Sequence, residues 1–231
     1  MTFRPPANNM QGINNYVSGM QWSASLDMNS CNTFSLGKPA VASATAIASA
    51  QATNQAPGVM TWLPTAWVAD TPYGRPIQVT PSGSVTATLD VWGEDYLGQP
   101  MVERFAWSAV GTAAVGKKSF YRVLSYKTVV AGGGVTVNIG TVGQNLGLPY
   151  KGSVEWAKEA GVLLDPGTAF SKWVAPDLTD PATATTGDPR GQFTTTAAPD
   201  GIKEFVIGLR ADNSVNANDR GGLHGIRHFA A

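Results

Sequence analysis

Apolar and polar positions alternate with a period of two in several stretches of this chain. In SVTATLDVW (84 to 92), Val85, Ala87, Leu89 and Val91 fall on one face and Thr86, Thr88 and Asp90 on the other, as in a half-buried strand rich in β-branched residues. PMVERFAWSAV (100 to 110) gathers Met101, Glu103, Phe105 and Trp107 on one mostly apolar face. Between them, GEDYLG is bounded by Gly93 and Gly98, so the two segments predict an antiparallel hairpin with GEDYLG as its bend. Phe120 and Val123 read as core anchors. VTVNIG then alternates Val135, Val137 and Ile139 after a triple-glycine turn at 132 to 134. IKEFVIGLRAD (202 to 212) predicts a closing strand, with Phe205, Ile207 and Leu209 opposing Glu204, Val206 and Gly208.

Other stretches lack this alternation. Leu146, Leu148, Pro149 and Tyr150 make VGQNLGLPYKG too apolar for a solvated linker and predict a loop that packs. SVEWAKEAGVLL (153 to 164) predicts a short helix with Ser153 as N-cap, Glu155 and Glu159 on the polar side and Gly161 as its stop, a further strand pair being the alternative. Residues 165 to 201, crowded with Asp-Pro, Gly and Thr, predict a long surface excursion of turns. AVASATAIASAQAT (40 to 53) is almost entirely small side chains, which seldom offset their own ordering entropy, so an extended arm that orders against a neighbouring surface is expected there. The expected architecture is a mainly β chain: an antiparallel β-sandwich or jelly-roll-like body over 59–212, an extended N-terminal arm over 1–58 and a polar, Gly-rich C-terminal tail over 213–231.

Composition narrows the partners. Of 231 residues, 43% are hydrophobic but only 14% charged, well under the usual quarter, so the surface is covered by small polar residues or by other chains. Sixteen basic and sixteen acidic residues give no net charge, hence no broad field for phosphates, and free nucleic acid is not an expected ligand. A near-neutral domain is also poorly protected against self-association, which fits life in an assembly. A single cysteine, Cys31, excludes an intrachain disulfide framework. No apolar run approaches the roughly 18 residues of a membrane span and no signal peptide is evident, so the expectation is a cytoplasmic product with no membrane partner.

Candidate chemistry is sparse. Asp90, Glu94 and Asp95 could bind calcium but read better as strand and turn residues. His224 and His228 are four apart, yet Gly225 between them and Gly221 and Gly222 before them argue against the helix that would align two imidazoles on zinc. Cys31 lies in the small-residue arm without a nucleophile-elbow context. GTVGQNLG (140 to 147) shares only its glycines with phosphate loops. No catalytic, cofactor-binding or metal-binding residue is assigned, and no enzymatic activity is expected. The mildly basic tail, with Arg227 and His228, could dock on an acidic surface or simply be solvated.

The runs YGRPIQVT, VWGEDYLGQPMVERF, GTAAVGKKSFYRV, VTVNIGT and LGLPYKG resemble structural proteins of tailed-bacteriophage virions. The likeness rests on Gly93, Asp95, Gly98 and Glu103 of the hairpin and on Gly116, Lys117, Lys118, Phe120 and Val123 of the strand that follows. It spans residues 73 to 152. The resemblance implies a β-rich virion component. The expected role is a capsid decoration or cement protein on the outer capsid surface, a homotrimer that contacts the major capsid protein through Phe3, Arg4, Tyr16, Met20 and Trp22 of the arm and through Arg227 and His228 of the tail. A tail, connector or head-fibre component is the alternative. Another is a carbohydrate-binding or depolymerising module that uses exposed Trp and an acidic pair such as Glu94 with Glu103, which glycoside hydrolysis would need about 5 to 9 Å apart.

Overall fold

The computed structural model describes residues 31–53, 57–83, 86–108, 112–131 and 133–212, together with 224, 225 and 228. The chain is mainly β, and all the strand pairings are antiparallel. Two four-stranded sheets face each other as a sandwich. One has the order β2 (Ala48–Ala52), β9 (Thr136–Thr141), β4 (Arg75–Pro81), β7 (Ala114–Phe120). The other runs β3 (Met60–Val68), β8 (Arg122–Val130), β5 (Ala87–Glu94), β6 (Pro100–Trp107). Their inner faces enclose a core of Ile77, Val79, Leu89, Val91, Met101, Phe105, Phe120, Val123, Val137 and Ile139.

A second core lies beside the first. It is built on the sheet β1 (Cys31–Gly37), β15 (Phe205–Ala211), β11 (Gly152–Glu159), β12 (Val162–Leu163) and on a small sheet β10 (Asn145–Gly147), β14 (Gln192–Thr194), β13 (Trp173–Val174). The short helix α1 (Pro166–Ser171) contributes Ala169. Leu36, Leu146, Leu148, Tyr150, Val154, Phe193, Phe205, Ile207 and Leu209 fill this core. The packing expected of Leu146, Leu148 and Tyr150 is therefore present, as is the alternation of the closing strand.

The hairpin stands as the alternation predicts, in continuous register from Ala87 opposite Trp107 to Glu94 opposite Pro100. Three other expectations are corrected. First, residues 31 to 53 belong to the body, not to an arm: β1 pairs with β15 and β2 with β9. Between those strands the Ser43 carbonyl accepts the Thr141 amide at 2.9 Å, and the Ile47 amide donates to Ile139 at 3.1 Å. The small side chains let this segment lie flush on the sheet.

Second, residues 152 to 159 form not the helix but its alternative, a strand that pairs with β12. A β-bulge at Glu155 shifts the register between Val154 and Trp156, so Val154 and Ala157, three apart, both point into the core opposite Leu209 and Ile207. That spacing imitates a helical stripe. Third, the 165 to 201 segment is not a surface excursion throughout, because Asp188, Arg190, Gln192, Phe193 and Thr195 are buried.

Candidate functional site

The most unusual chemistry lies where the two cores meet. Between Val115 and Ser119 the register of β7 against β4 shifts, which leaves the amides of Lys117 and Lys118 without ladder partners. Glu103 of β6 supplies the acceptors: its Oε1 takes the Lys117 amide and its Oε2 the Lys118 amide, the latter at 3.3 Å. A Cβ at Gly116 would lie 2.7 Å from both Glu103 Oε2 and the Ile77 carbonyl, so only glycine fits beside this carboxylate. Burial pushes the Glu103 carboxyl up to about 7, against the pull of the two amides and of Lys118.

Lys118 is buried too, and burial lowers its pKa. Its ammonium donates to three carbonyls, those of Val102 at 3.0 Å, Thr183 at 2.7 Å and His228 at 3.1 Å. A buried ammonium has three protons to place, and here all three are placed.

The bend of the hairpin contributes the second half. Asp95 Oδ1 accepts the Leu97 and Gln99 amides, both at 2.8 Å, which closes the turn. Its Oδ2 accepts from Arg190 Nη1 at 2.9 Å, with both side chains out of water. The Arg190 guanidinium also lies 4.9 Å from the Tyr96 ring centre and within 2.8 Å of His228 Nε2. Asp188, two residues before Arg190, accepts the Ser119 amide at 2.8 Å and the Arg190 amide at 2.9 Å. Gln192 donates to the Lys117 carbonyl at 2.6 Å. Tyr96 donates to the Pro149 carbonyl, and burial raises its pKa. GEDYLG is thus a bend, and its Asp95 also anchors a buried ion pair.

A cleft of about 300 Å³ opens beside this junction, bordered by Lys117, Asn145, Asp177, Asp188 and Gln192. The carboxylates at its edge are engaged with backbone amides, Asp177 with Gly187 at 2.7 Å and Thr179 at 3.0 Å. Among the described residues no group of three His, Cys, Asp or Glu side chains is arranged to hold a metal. The chemistry of the junction is fastening: charged side chains terminate the amides and carbonyls that bulges and turns leave open.

Of the residues expected to contact a partner, Phe3, Arg4, Tyr16, Met20, Trp22 and Arg227 lie outside the described residues. His228 does not sit on a solvated tail or a docking surface: its exposure is 0%. Glu94 and Glu103 do not converge. With Glu94 opposite Pro100 and Glu103 opposite Val91, they project to opposite faces of the sheet. Glu94 pairs with Arg122 at 3.2 Å. Arg190 and Asp188, which organise the junction, went unassigned in the sequence because GDPRG reads as a turn. The buried Phe193 three residues on was the available signal.

The exterior mixes exposed apolar side chains with charged pairs. On the outer face of β3-β8-β5-β6 the register places Trp62, Ser125, Trp92 and Val102 in one row across four strands. Trp62 is 68% exposed, whereas Ser125 and Val102 of that row are buried; Val68, opposite Arg122, and Val130 are exposed toward opposite ends of β8. Lys127 lies 5.6 Å from the Trp92 ring centre, and Arg104 holds Asp90 through two bonds of 2.8 Å. Apolar side chains are also exposed on the other core, where β12 and α1 both pack on β11. Val162 is 66% exposed and Leu163 is exposed on the other face of β12; Phe170 of α1 is 59% exposed, and its ring contacts Trp173 at 5.8 Å between centres. Compared with protein-family models, curated protein sequences and solved structures, the chain matches none.

Proposed function

We propose that this chain is a structural component of a tailed-phage virion, a capsid decoration or cement protein that sits on the outer capsid surface as a homotrimer. Its action is mechanical. It covers the boundary between neighbouring major capsid protein subunits and adds buried apolar area and hydrogen bonds across it, so that the shell resists internal pressure. The observation that carries this reading is the set of large apolar side chains left open to water beside each core: Trp62, Val68 and Val130 on the strands of the first, and Val162, Leu163 and Phe170 on β12 and α1 of the second. A protein that fastens two neighbours needs two adhesive areas on one stiff body, and large exposed aromatics are the side chains that dominate such contacts. The charge-poor composition and the resemblance of residues 73 to 152 to virion proteins support the same reading.

The test is co-sedimentation of the purified chain with capsids that lack it, followed by heating of the particles. Binding that raises the temperature at which the particles release DNA is the expected result. Capsids that neither retain the chain nor gain heat resistance would refute the proposal, and immunogold labelling confined to the tail or connector would move the chain off the head.

A further inference from the structure

The small sheet β10-β14-β13 has two unlike faces. Asn145 stands opposite Thr194, and Gln192 opposite both Gly147 and Val174, while Leu146 and Trp173 both stand opposite Phe193. Residues directly opposite one another share a face, and neighbours along a strand alternate. Leu146, Phe193 and Trp173 therefore face the second core, and Asn145, Gln192, Thr194 and Val174 face away from it. Asn145, Gln192 and Val174 line the cleft of about 300 Å³ beside the junction, together with Lys117 of β7 and Asp177 of the loop between β13 and β14.

Hydrogen bonds fix the polar lining and leave part of it unused. Asn145 Nδ2 donates to Gln192 Oε1, and Asn145 Oδ1 accepts from the Thr194 hydroxyl, both at 3.1 Å. Gln192 is held in turn by the Lys117 carbonyl at 2.6 Å and the Ser119 hydroxyl at 3.2 Å. A carboxamide has two protons to give and two lone pairs, so Asn145 retains one of each in a set orientation. Asp177 accepts the Thr179 amide on Oδ1 and the Gly187 amide on Oδ2, and a carboxylate oxygen can take more than one bond. The Lys117 side chain is exposed, and its ammonium has no hydrogen bond or ion pair of its own among the described residues.

The charges limit what such a cleft accepts. A free anion meets Asp177 and the buried Asp188. A cation meets Lys117. An apolar body strips water from an ammonium, a carboxylate and a carboxamide without replacing the lost bonds. A neutral molecule rich in hydroxyls incurs none of these costs. Each hydroxyl gives one proton and takes two, so its hydroxyls can donate to Asp177 and accept from Lys117 while Asn145 serves either role. Its C–H edges have Val174 and Ala175 as an apolar wall. The volume lies at the lower end of the range for ligand clefts, with room for one small molecule. We propose that this cleft is a binding site for a single uncharged monosaccharide unit, held through its hydroxyls by Lys117, Asn145 and Asp177. Binding here involves no bond cleavage, uses neither the exposed Trp62 nor Glu94 and Glu103, and is independent of capsid attachment.

The test is a titration of the isotope-labelled full-length chain with glucose, galactose, mannose and N-acetylglucosamine in turn, and with phosphate and arginine as charged comparators. At least one sugar should shift the amide signals of Lys117 and Gly187 and the side-chain amide signals of Asn145 in a saturable way. Phosphate and arginine should leave them in place at the same concentration. Lys117→Ala, at an exposed side chain, should weaken the binding about tenfold, the scale of one hydrogen bond to a charged group. Ala175→Trp, also at an exposed position, fills the cleft and should abolish binding. Both variants should keep the wild-type spectrum away from the cleft. Sugars that all leave these signals unshifted, or phosphate or arginine that saturates them at lower concentration, would overturn the site. Sugar affinity unchanged in both variants would place the sugar elsewhere on the chain and equally contradict it.

Discussion

The junction between the cores and the outer face of β3-β8-β5-β6 invert the usual distribution of chemistry. Inside, Asp95, Glu103, Lys118, Asp188 and Arg190 are buried, Asp95 paired with Arg190 and the other three bonded to backbone amides or carbonyls. Outside, Trp62 is open to water, although Ser125 and Val102 of its row are covered. Proteins commonly leave single apolar side chains exposed, but a buried charge is rare unless it is paired. The contrast follows from what each region has to do. Bulges and turns at the junction leave amides and carbonyls that need strong partners where water does not reach, and charged side chains provide them. The outer face also carries charge, in the Arg104–Asp90 and Arg122–Glu94 pairs, but these lie where at least one partner meets water, beside the exposed Trp62 and Val68.

Breaking the inner half of the comparison should give the largest effect. Asp95→Ala leaves the Arg190 guanidinium buried without its carboxylate and should destabilise the fold by about 3 to 5 kcal/mol, read by urea denaturation. A loss under about 1 kcal/mol would mean that the ion pair is not desolvated as described.

The outer half should respond in the opposite way. Trp62→Ala and Phe170→Ala should change stability by no more than about 0.5 kcal/mol. Each should weaken retention on capsids by about 2 kcal/mol, which is the scale of an interfacial anchor. Variants that unfold the chain but bind normally when folded would reverse the assignment of the two regions.

Glu103 sharpens the comparison through pH. Its carboxyl titrates at about 7 in the fold against 4.5 ordinarily, so the folded chain holds a proton that the unfolded chain has lost. This contribution is fully present below about 4.5 and disappears as pH rises to about 7. The stability of the wild type relative to Glu103→Gln should therefore decline across that window by up to about 1.4 kcal/mol per pH unit. Parallel profiles for the two proteins would show that Glu103 is solvated. The smallest effect belongs to Ser153→Ala. In β11 the Ser153 hydroxyl donates only to Glu155, at 3.0 Å, and its loss should cost less than about 0.5 kcal/mol, whereas a helix N-cap at that position would cost about 1 kcal/mol.

What could be read in the sequence follows the same division. Strands with strict alternation, such as Ala87 to Val91 and Phe205 to Leu209, were legible because one face meets the core and the other does not. Alternation failed at Glu155, where a bulge turns a strand into an apparent helix. It also failed at residues 40 to 53, where small side chains imply little burial yet permit close backbone contact. The junction was partly legible. Gly116, Lys117 and Lys118 stood out as a pattern, and Asp95 and Glu103 as acidic residues near glycines. The meeting of these groups with Arg190 and His228 depends on contacts between residues far apart in the chain, and no local period records it.

On the proposed function, the exposed apolar side chains fasten this chain to neighbouring subunits. A cryo-EM map of the intact virion tests it most directly. Density for the chain is expected on the outer capsid, bridging adjacent major capsid protein subunits, with Trp62 and Phe170 both covered. A chain found away from the shell, or lying on it with both aromatic surfaces open to solvent, would contradict it.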